Sequence, residues 1–467
     1  MIKDPTLLCP NLTNGEKSSL MPDTRVPHLI TELPGPKARS VIERSERYVT
    51  PSLPRVYPLV VQRGQGTMVE DVDGNRFLDC AAGIAVCSTG HCHPEVVRAI
   101  QNQNTRLLHI CGADFYETMY VDLAERLAKL VPGNTRKKVF LGNSGAEAVE
   151  AAFKLARYYT GRPRVIAFLG AFHGRTMGAV SLTASKPLYH QGFGPLIPGI
   201  SHVPYAYCYR CAYNLTYPAC NLACVDYIED VLFAKSIVPE EVAAIFVEPV
   251  QGEGGYVVPP PGWLAKLRTL CDKYGILLVD DEVQAGIGRT GKMLATEHWD
   301  VEPDIICLAK ALASGMPVSA MITRDEVMSW PPGAHGSTFG GNPVCCAAAQ
   351  ATLDVIEKEK LLDNANRVGN RLMSNLRDLA EESRLIGDVR GLGLMIGVEL
   401  VKDKETKTKA EQETKLLTQE CFQRGLLVLP CGPNSIRFSP PLILTEAEAD
   451  TAFEIFANAL VEVESKA

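Results

Sequence analysis

Compact apolar runs alternate with amphipathic stretches along the middle of the chain. From about residue 94, helical periodicity in YVDLAERLAKLV gives way to the short run KKVFL, then to the helical AEAVEAAFKLARYY and the run RVIAFL. Further apolar runs follow in AAIFVEPV, ILLVDDE and DIICLA. Strands that alternate with helices are typical of a parallel sheet covered on both faces. The pattern therefore predicts an α/β fold built around such a sheet.

The residues before this central pattern predict a smaller unit. Residues 1 to about 35 are rich in proline and polar residues, which indicates an extended arm. PGPKARSVIERSERYV predicts a short helix, and an Asp73-Gly74-Asn75 turn between alternating apolar runs predicts a β-hairpin. We assign this arm, helix and hairpin to residues 1–84 and expect them to form part of a small domain.

The carboxyl-terminal part predicts the rest of that small domain. After Pro343, AAAQATLDVIEKEKLLDNANRVGNRLMSNLRDLAEES predicts one long helix, and the strands LGLMIGVEL and SIRFS follow. A capping box from Thr445 to Glu448 predicts the start of a final helix. We therefore expect a large α/β domain with a mainly parallel sheet over residues 85–345, and a smaller α+β domain completed by residues 346–467.

Composition excludes several classes of protein. The 467 residues are 46% hydrophobic and 22% charged, with a net charge of −7, which is typical of a globular protein. Nucleic acids and anionic membranes attract clustered Lys and Arg, so neither is expected as a partner. No apolar run approaches the roughly 18 residues of a membrane helix, and the amino terminus lacks the apolar core of a secretory signal. The odd number of cysteines, 15, indicates reduced thiols, and we predict a cytoplasmic protein.

Lys310 closes the apolar run DIICLA. The carboxyl ends of buried parallel strands are where open α/β sheets bind ligands. Desolvation at such a place lowers the pKa of an amine and makes it a nucleophile for carbonyl groups. A lysine that extends from the end of a strand into solvent fits the same segment, so Lys310 requires support from other residues.

Asp281 gives part of that support. ILLVDDEVQ places acidic residues directly after an apolar strand, and a buried carboxylate of this kind can hold the pyridine nitrogen of a pyridoxal cofactor in its protonated form. Binding of a divalent cation and an exposed acidic turn are the alternatives. Alternation along the strand does not decide whether Asp280 or Asp281 would face the cofactor.

A third segment predicts a phosphate site. FLGNSGAEAVEAAFKLARYY passes from a strand through Gly142, Ser144 and Gly145 into a long amphipathic helix. Small residues at a helix amino terminus leave backbone amides available to a phosphate, although many α/β proteins have such loops for structural reasons. The lysine of a nucleoside-triphosphate loop is absent from this stretch.

The segment GIGRTG supports a competing interpretation of the sequence. Its glycines, Gly286, Gly288 and Gly291, have the spacing of a dinucleotide-binding fingerprint. The acidic residues DDE lie between the strand and these glycines, where a pyrophosphate would meet negative charge. We therefore reject a nicotinamide oxidoreductase.

From about residue 45 to its end, the chain resembles the class III aminotransferases, which are fold type I enzymes that depend on pyridoxal 5'-phosphate (PLP). The likeness is greatest to 4-aminobutyrate aminotransferase-like sequences, and SLTASKP and CGPNSIRFSPPL are similar to an archaeal branch with ornithine aminotransferases and amino-acid racemases. The stretches that carry the resemblance, in order, are DVDGNRFLDCAAGIAVCSTGHCHP, FLGNSGAEAVEAA, AFHGRT, IFVEPVQGEGG, ILLVDDEVQAGIGRTG, LAKAL, HGSTFGGNP and VRGLGLMIGVE.

The resemblance implies a role for each matched residue around the cofactor ring. Lys310 of LAKAL corresponds to the lysine that bonds covalently to the PLP aldehyde, and Asp281 to the partner of the pyridine nitrogen. Gln284 would approach the phenolic oxygen. Phe172 of AFHGRT would stack on the ring, with His173 beside it; for Phe172, packing in the core is the alternative.

The resemblance also implies how the phosphate is bound and how subunits assemble. Gly145 and Ala146 would donate backbone amides to the phosphate. Thr338 of HGSTFGG would reach the same phosphate from another subunit. The expected assembly is therefore a homodimer, or a dimer of dimers, with the active site at the interface.

Three charged residues are implied to bind substrate. Arg175 would bind a substrate carboxylate through two parallel hydrogen bonds; a surface ion pair is its alternative. Glu248 would neutralise Arg437 when an ω-amino acid binds, and would release it to a second carboxylate when glutamate and 2-oxoglutarate exchange. A permanent structural ion pair between Glu248 and Arg437 is equally compatible with the sequence.

Asp114 in HICGADFYETMYVDLAERLAKL has two interpretations. Its carboxylate would bind a distal substrate amine, or it would cap the following helix in a capping box with Glu117. We favour the cap.

Four cysteines fall outside the resemblance. Cys208, Cys211, Cys220 and Cys224 give a CxxC and a CxxxC within YCYRCAYNLTYPACNLAC. Four thiolates at such spacing suit a zinc ion or an iron–sulfur cluster. Core thiols or a redox-sensitive patch are the alternatives.

The sequence therefore predicts an enzyme that moves an amino group from an ω-amino acid resembling 4-aminobutyrate to 2-oxoglutarate in a ping-pong reaction. An amino-acid racemase and an ornithine or acetylornithine aminotransferase are the alternative enzymes. A PLP-fold protein that binds without catalysis is disfavoured by the intact set of Lys310, Asp281, Gln284 and Arg175.

Overall fold

The computed structural model describes residues 27–466. Its α-helices are α1 (Pro36–Tyr48), α2 (Ala82–Ala85), α3 (Pro94–Asn104), α4 (Thr118–Leu130), α5 (Gly145–Thr160), α6 (Met177–Leu182), α7 (Ala223–Tyr227), α8 (Trp263–Tyr274), α9 (Pro343–Lys358), α10 (Leu361–Glu382), α11 (Glu411–Gln423) and α12 (Glu446–Lys466). Its strands are β1 (Val61–Gln65), β2 (Met68–Asp71), β3 (Arg76–Asp79), β4 (Lys137–Gly142), β5 (Arg164–Phe168), β6 (Ile200–Val203), β7 (Val242–Val247), β8 (Leu277–Asp281), β9 (Ile305–Leu308), β10 (Ser319–Arg324), β11 (Ile386–Leu392), β12 (Met395–Asp403), β13 (Thr408–Lys409), β14 (Leu426–Leu427), β15 (Leu429–Cys431) and β16 (Ser435–Phe438).

A seven-stranded sheet forms the centre of the molecule. Its strand order is β4-β10-β9-β8-β7-β5-β6, and β10 pairs antiparallel with both of its neighbours while the other pairs are parallel. The apolar runs recognised in the sequence form five of these strands, and β6 and β10 were not recognised. This sheet confirms the predicted α/β fold, and its parallel strands bring their carboxyl ends to one edge.

Helices cover both faces of the central sheet, because side chains alternate along each strand. In β7, Ile245 and Val247 pack in one cluster with Trp263 of α8. The intervening Phe246 packs on the opposite face with Phe153 of α5. Every residue of β7 is buried, which explains why its sequence reads as a continuous apolar run.

Two further sheets are built mainly from the ends of the chain. Antiparallel β1, β2 and β3 are joined by β14, which pairs in parallel with β3. Antiparallel β11, β12, β16 and β15 form the other sheet, with β13 beside β12. The predicted boundaries at 84/85 and 345/346 fall inside α2 and α9, and the division into domains stays a prediction.

The long helix predicted after Pro343 is wrong as a single element. The chain forms α9 and α10 instead, separated at Lys360, which has the left-handed φ of +51°. Each helix has its own buried apolar face, and the polar residues between them occupy the turn. Periodicity alone did not show this break, because α-helical spacing continues across it.

The Asp73-Gly74-Asn75 turn joins β2 and β3, and Gly74 has the positive φ of +92° that such a turn requires. The Asp73 carboxylate also accepts hydrogen bonds from the amides of Lys37 and Ala38, both at 2.9 Å, and so caps α1. The hairpin therefore fixes the first helix as well as its own strands.

The final helix begins as predicted. The Glu448 amide donates to the Thr445 hydroxyl at 3.2 Å, and the Thr445 amide donates to the Glu448 carboxylate at 2.8 Å. Within residues 27–466, no helix combines the length and apolarity needed to cross a membrane.

Candidate active site

A cavity of about 420 Å³ opens at the carboxyl edge of the central sheet. Strands β7, β8 and β9 each deliver a charged side chain to it at or just beyond their last residue, namely Glu248, Asp281 and Lys310. These three residues are called the floor below. The charged groups of the floor therefore lie at the ends of apolar strands, where little water reaches them.

Lys310 follows β9 with a left-handed φ of +38°, a conformation that costs free energy for a residue with a side chain. Burial lowers the pKa of its amine below the usual 10.5, and the nearby positive charge of Arg437 acts in the same direction. The negative charges of Asp281, Glu248 and Glu253 only partly offset this effect. A lysine with a lowered pKa is suited to nucleophilic chemistry with carbonyl groups.

Asp281 is fixed by two hydrogen bonds. One carboxylate oxygen accepts from the amide of Val283 at 3.0 Å, and the other lies 2.7 Å from Nδ1 of His173. Burial lowers the pKa of His173, but the hydrogen bond to Asp281 and the charges of Asp281 and Glu248 outweigh it, so the pKa is raised overall. The result is a buried hydrogen-bonded pair of imidazole and carboxylate at the floor.

Asp280 points away from the cavity, which answers the question that strand alternation left open. Asp281 lines the cavity, whereas Asp280 is buried elsewhere and neither of its carboxylate oxygens has a hydrogen-bond partner. Burial, followed by the charges of Glu282 and Asp281, raises the pKa of Asp280 well above its usual range. Of the two adjacent aspartates, only Asp281 therefore faces the cavity.

The start of α5 closes one side of the cavity. The Ser144 hydroxyl accepts from the Glu147 amide at 3.3 Å as the N-cap, while the first helical amides, Gly145 and Ala146, have no protein acceptor within the described residues. A side chain at position 145 would place its Cβ 2.7 Å from Cγ1 of Val283. Glycine is therefore required for the helix to approach the loop after β8.

Phe172, Gln284 and Glu248 complete the lining that the sequence predicted. Gln284 accepts a hydrogen bond from the hydroxyl of Tyr256 at 2.9 Å. The Glu248 carboxylate accepts from the amides of Phe172 at 3.0 Å and Gly252 at 3.1 Å. Burial raises the pKa of Glu248 to about 7.

The predicted Glu248–Arg437 ion pair is not formed in this structure. Nη1 of Arg437 lies 3.4 Å from Oε2 of Glu253, and Oε1 of the same carboxylate lies 2.6 Å from Nζ of Lys186. We call Lys186, Glu253 and Arg437 the rim cluster. It adjoins the cavity through Gln284, whose oxygen is 3.5 Å from Nη1 of Arg437.

Sequence reasoning selected the wrong glutamate of EPVQGE. Glu248 directly follows β7, so its carboxylate is held at the floor by backbone amides. Glu253 lies in a loop that an isolated bridge between Gln251 and Val257 folds back, and this reversal carries it to Arg437. The sequence did offer a signal for the correct partner of Arg437, because Glu253 is the second acidic residue of the same motif.

Arg175 lines the cavity, and its guanidinium lies 4.7 Å from the centre of the Tyr189 ring and 6.0 Å from that of Phe172. Arg175 is exposed where it lines the cavity. Arg175 is therefore available to an anionic substrate, as the sequence suggested.

Thr338 and Asp114, like Arg437 described above, do not line the cavity. Thr338 is exposed and is not part of the lining of the cavity in a single chain. Asp114 is exposed as well, and the predicted cap is wrong: the N-cap of α4 is Glu117, whose carboxylate accepts from the Tyr120 amide at 2.9 Å. Because α4 begins at Thr118, Asp114 is too far upstream to bond to its first turn.

The four cysteines share one location but do not form a metal site. Cys208, Cys211, Cys220 and Cys224 line a common small depression. Within residues 27–466, however, no group of three or more His, Cys, Asp or Glu residues is arranged to hold a metal ion. This finding gives no support to the zinc or iron–sulfur prediction or to the cation alternative for the acidic turn after β8.

The GIGRTG segment does not form a dinucleotide site. Gly288 and Gly291 have positive φ values of +88° and +82°, and no α-helix starts after them, because the next helical turn is a short 3₁₀ segment at Ala295–His298. Buried Arg289 donates to the carbonyls of Leu394 and Pro440 at 3.0 Å and 2.6 Å. The glycines therefore serve close packing between segments.

Lys310, the buried carboxylate of Asp281 and the helix-terminal amides of Gly145 and Ala146 surround one cavity, a combination suited to an aromatic aldehyde that bears a phosphate. The family model for class III aminotransferases matches residues 50–460. The chain belongs to the class III aminotransferase family.

Curated relatives share about two-fifths of their residues with this chain. The alanine/serine racemase of Pyrococcus horikoshii is 41% identical over 93% of this chain and 92% of its own length. The 5-aminovalerate aminotransferase of Pseudomonas aeruginosa is 40% identical over 91% and 98%. The 4-aminobutyrate aminotransferase of Mycobacterium bovis is 41% identical over 93% and 98%.

Solved structures agree with this assignment. The chain is similar to an amine transaminase from an uncultivated Pseudomonas species, solved in its PLP-bound form, with a TM-score of 0.82 and 34% identity over 89% of this chain and 99% of the other. The likeness therefore extends over most of the chain and not only through the motifs.

The residues present fit PLP. The unpartnered amides of Gly145 and Ala146 suit a phosphate, and the carboxylate of Asp281 suits a protonated ring nitrogen. Nε2 of His173 is buried and has no hydrogen-bond partner. Once the cavity is filled, such a buried atom needs an acceptor or a water molecule. Each chemical part of the cofactor therefore has a counterpart in the cavity.

Proposed function

We propose that this chain is a PLP-dependent aminotransferase that moves the amino group of an ω-amino acid, of the type of 4-aminobutyrate or 5-aminovalerate, to 2-oxoglutarate. One observation carries the proposal. The amine of Lys310 and the carboxylate of Asp281 line the same cavity at the ends of adjacent strands. The family membership and the names of the relatives support amine transfer and, in two of the three, an ω-amino acid donor.

The cofactor would supply an electron sink that stabilises a carbanion at the substrate carbon. Lys310 would hold it covalently and, when released by substrate, would take and return the proton at the reacting carbon. A lowered amine pKa favours this role, because the neutral form is needed to accept the proton. Asp281, held by Val283 and His173, would keep the ring nitrogen protonated.

Substrate binding would divide between two arginines. Arg175, over the Tyr189 ring, would bind one carboxylate of the substrate. Arg437 would bind the second carboxylate of glutamate or 2-oxoglutarate, and Glu253 would neutralise Arg437 when the substrate lacks that group. Glu253 takes the part that the sequence reasoning gave to Glu248.

We also propose a homodimer in which Thr338 reaches the partner's cofactor phosphate. Phe339, next to Thr338, is 61% exposed, and its ring lies 5.0 Å from that of His109. In the segment around His109, the large hydrophobic side chains of Leu108, Phe115 and Tyr116 are also exposed. A patch of this composition is typical of a protein interface.

A panel of amino donors tests the proposed activity. The protein is purified with PLP and incubated with 2-oxoglutarate and each of 4-aminobutyrate, 5-aminovalerate and ornithine, and the glutamate formed is measured. The two ω-amino acids should give sustained glutamate formation that the Lys310→Ala variant lacks. If none of the donors yields glutamate with the PLP-loaded protein, the proposed activity is wrong.

Racemisation is the second candidate, because a relative of equal identity is an alanine/serine racemase. Incubation with L-alanine alone, without any oxo acid, distinguishes the two. An aminotransferase stops after one turnover per active site, whereas a racemase continues to form D-alanine. Chiral chromatography of the product therefore decides between them.

A further inference from the structure

Lys186 has no role in the function proposed above, and yet it makes the shortest contact of the rim cluster. Its Nζ lies 2.6 Å from Oε1 of Glu253, while Nη1 of Arg437 lies 3.4 Å from Oε2. The hydroxyl of Tyr189 donates to the same Oε1 at 3.5 Å. One carboxylate is thus shared between two cations, and it is closer to the lysine.

The two cations differ in their exposure to water. The side chain of Lys186 is 40% exposed, and that of Arg437 is 7% exposed. Water solvates an unpaired Lys186 at little cost, whereas a buried guanidinium without a counter-ion is strongly unfavourable. Glu253 can therefore leave Arg437 only when another carboxylate replaces it.

We propose that Lys186 is a positioning residue for acid specificity: it retains Glu253 at the rim when a substrate carboxylate occupies Arg437. The inference rests on the proposed function for the identity of its ligands, which are dicarboxylates with the spacing of 2-oxoglutarate. Monocarboxylate donors leave Glu253 on Arg437 and do not need Lys186. Lys186 thus favours the acceptor half of the reaction.

The reason is electrostatic. When a dicarboxylate binds, its second carboxylate and the displaced Glu253 are both negative and lie close together in a partly buried place. Lys186 neutralises Glu253 and keeps it in contact at 2.6 Å, so the two anions are separated by positive charge. Without Lys186, the displaced carboxylate would repel the incoming one.

Binding of substrate-like acids tests this role without turnover. Dissociation constants of glutarate and valerate, which have five carbons and neither an amine nor an oxo group, are measured on the PLP-loaded protein by calorimetry. Lys186→Met should lower the preference for glutarate over valerate by roughly tenfold, the scale of one charge-assisted contact. Lys186→Arg should keep the preference.

Lys358→Met is the matched control, since Lys358 forms an exposed ion pair with Glu95 at 3.0 Å at the end of α9. It should leave the glutarate preference unchanged. If Lys358→Met lowers the preference as much as Lys186→Met does, a general effect of net charge explains the result and the proposal fails.

A second variant separates positioning from direct contact. In a Glu253→Gln background there is no carboxylate to retain, so adding Lys186→Met should have no further effect on glutarate binding. A loss of tenfold in that background would mean that Lys186 binds the ligand itself, and would overturn the positioning role. Failure of amine transfer would contradict the proposed function, but these binding measurements would still decide the role of Lys186.

Discussion

The floor and the rim cluster use charge in opposite ways. At the floor, Asp281 is fixed by the Val283 amide and His173. Glu248 is likewise fixed, by two backbone amides. In the rim cluster, Glu253 is divided between two cations.

The difference follows from the elements that carry the residues. Floor residues end neighbouring strands of one sheet, where the backbone itself supplies rigid donors and burial perturbs the pKa values of Lys310 and Glu248. Rim residues come from two loops and from β16 of another sheet. Chemistry common to the family would thus reside at the floor, while substrate preference would depend on loops that can vary.

Replacing Lys310 tests the floor with the largest expected effect. Lys310→Ala removes the only amine that lines the cavity in the described part of the chain, so amine transfer should fall by more than about 1000-fold. Borohydride treatment followed by mass spectrometry should find a covalent cofactor adduct in the parent protein and none in the variant. Lys358→Ala serves as the control. An adduct that survives in Lys310→Ala would contradict the assignment.

Replacing Asp281 tests the electrostatic part of the floor. Asp281→Asn keeps the shape of the side chain but removes its charge from the ring nitrogen and from His173, so kcat should fall by about 100-fold to 1000-fold. The pKa of His173, which Asp281 now raises, should fall as well, and NMR titration of the imidazole measures it. Asp450→Asn, at an exposed ion pair with Arg371, is the control. Unchanged kcat would mean that another group protonates the ring.

The pH dependence of stability tests the buried carboxyl group of the floor. Glu248 has a pKa of about 7 in the folded protein and an ordinary value of 4.5, so the folded state binds more protons than the unfolded state between these pH values. The free energy of unfolding should therefore decrease as pH rises from 4.5 to 7, by up to about 3 kcal/mol from this group.

Glu248→Gln should remove this contribution. Urea unfolding of the variant and the parent at pH 5 and pH 8 measures the difference, and the parent should lose more stability between the two. Other buried carboxyl groups, such as Asp280 and Glu282, are the same in both proteins and cancel. Identical pH slopes would show that Glu248 is ionised throughout.

The position of the floor was largely predictable from the sequence. Each of its residues lies at or just beyond the carboxyl end of an apolar strand, and the carboxyl ends of neighbouring parallel strands meet at one edge of the sheet. Lys310, Asp281 and Gln284 all lie where that reasoning and the family resemblance put them, at the cavity. Their roles stay predictions until tested. Two features became evident only in the structure: the left-handed backbone conformation of Lys310, and the fact that Asp281 and not Asp280 lines the cavity.

Arg437 of the rim cluster was named by the family resemblance, but its partners Glu253 and Lys186 were not predictable, because they lie in loops, which carry no periodic signal. Glu253 and Glu248 stand five positions apart in one motif, and only the reversal at Gln251 shows which one reaches Arg437. Lys186 had no signal beyond its presence in SLTASKP. The four cysteines, close in sequence, line one depression, but no metal-binding group is found there among the described residues.

Replacing Arg437 examines the rim cluster and has the smallest expected effect. Arg437→Met should raise KM for 2-oxoglutarate about 50-fold, the scale of a lost charge-assisted pair, and should leave kcat and the visible spectrum of the bound cofactor nearly unchanged. The reason is that the direct contacts of Arg437 are with Glu253 and Gln284, and it reaches the floor only through the effect of its charge on the pKa of Lys310. Arg371→Met, at the exposed ion pair with Asp450, is the control. A fall in kcat equal to the rise in KM would show that the rim cluster and the floor act as one unit, and the contrast between them would be lost.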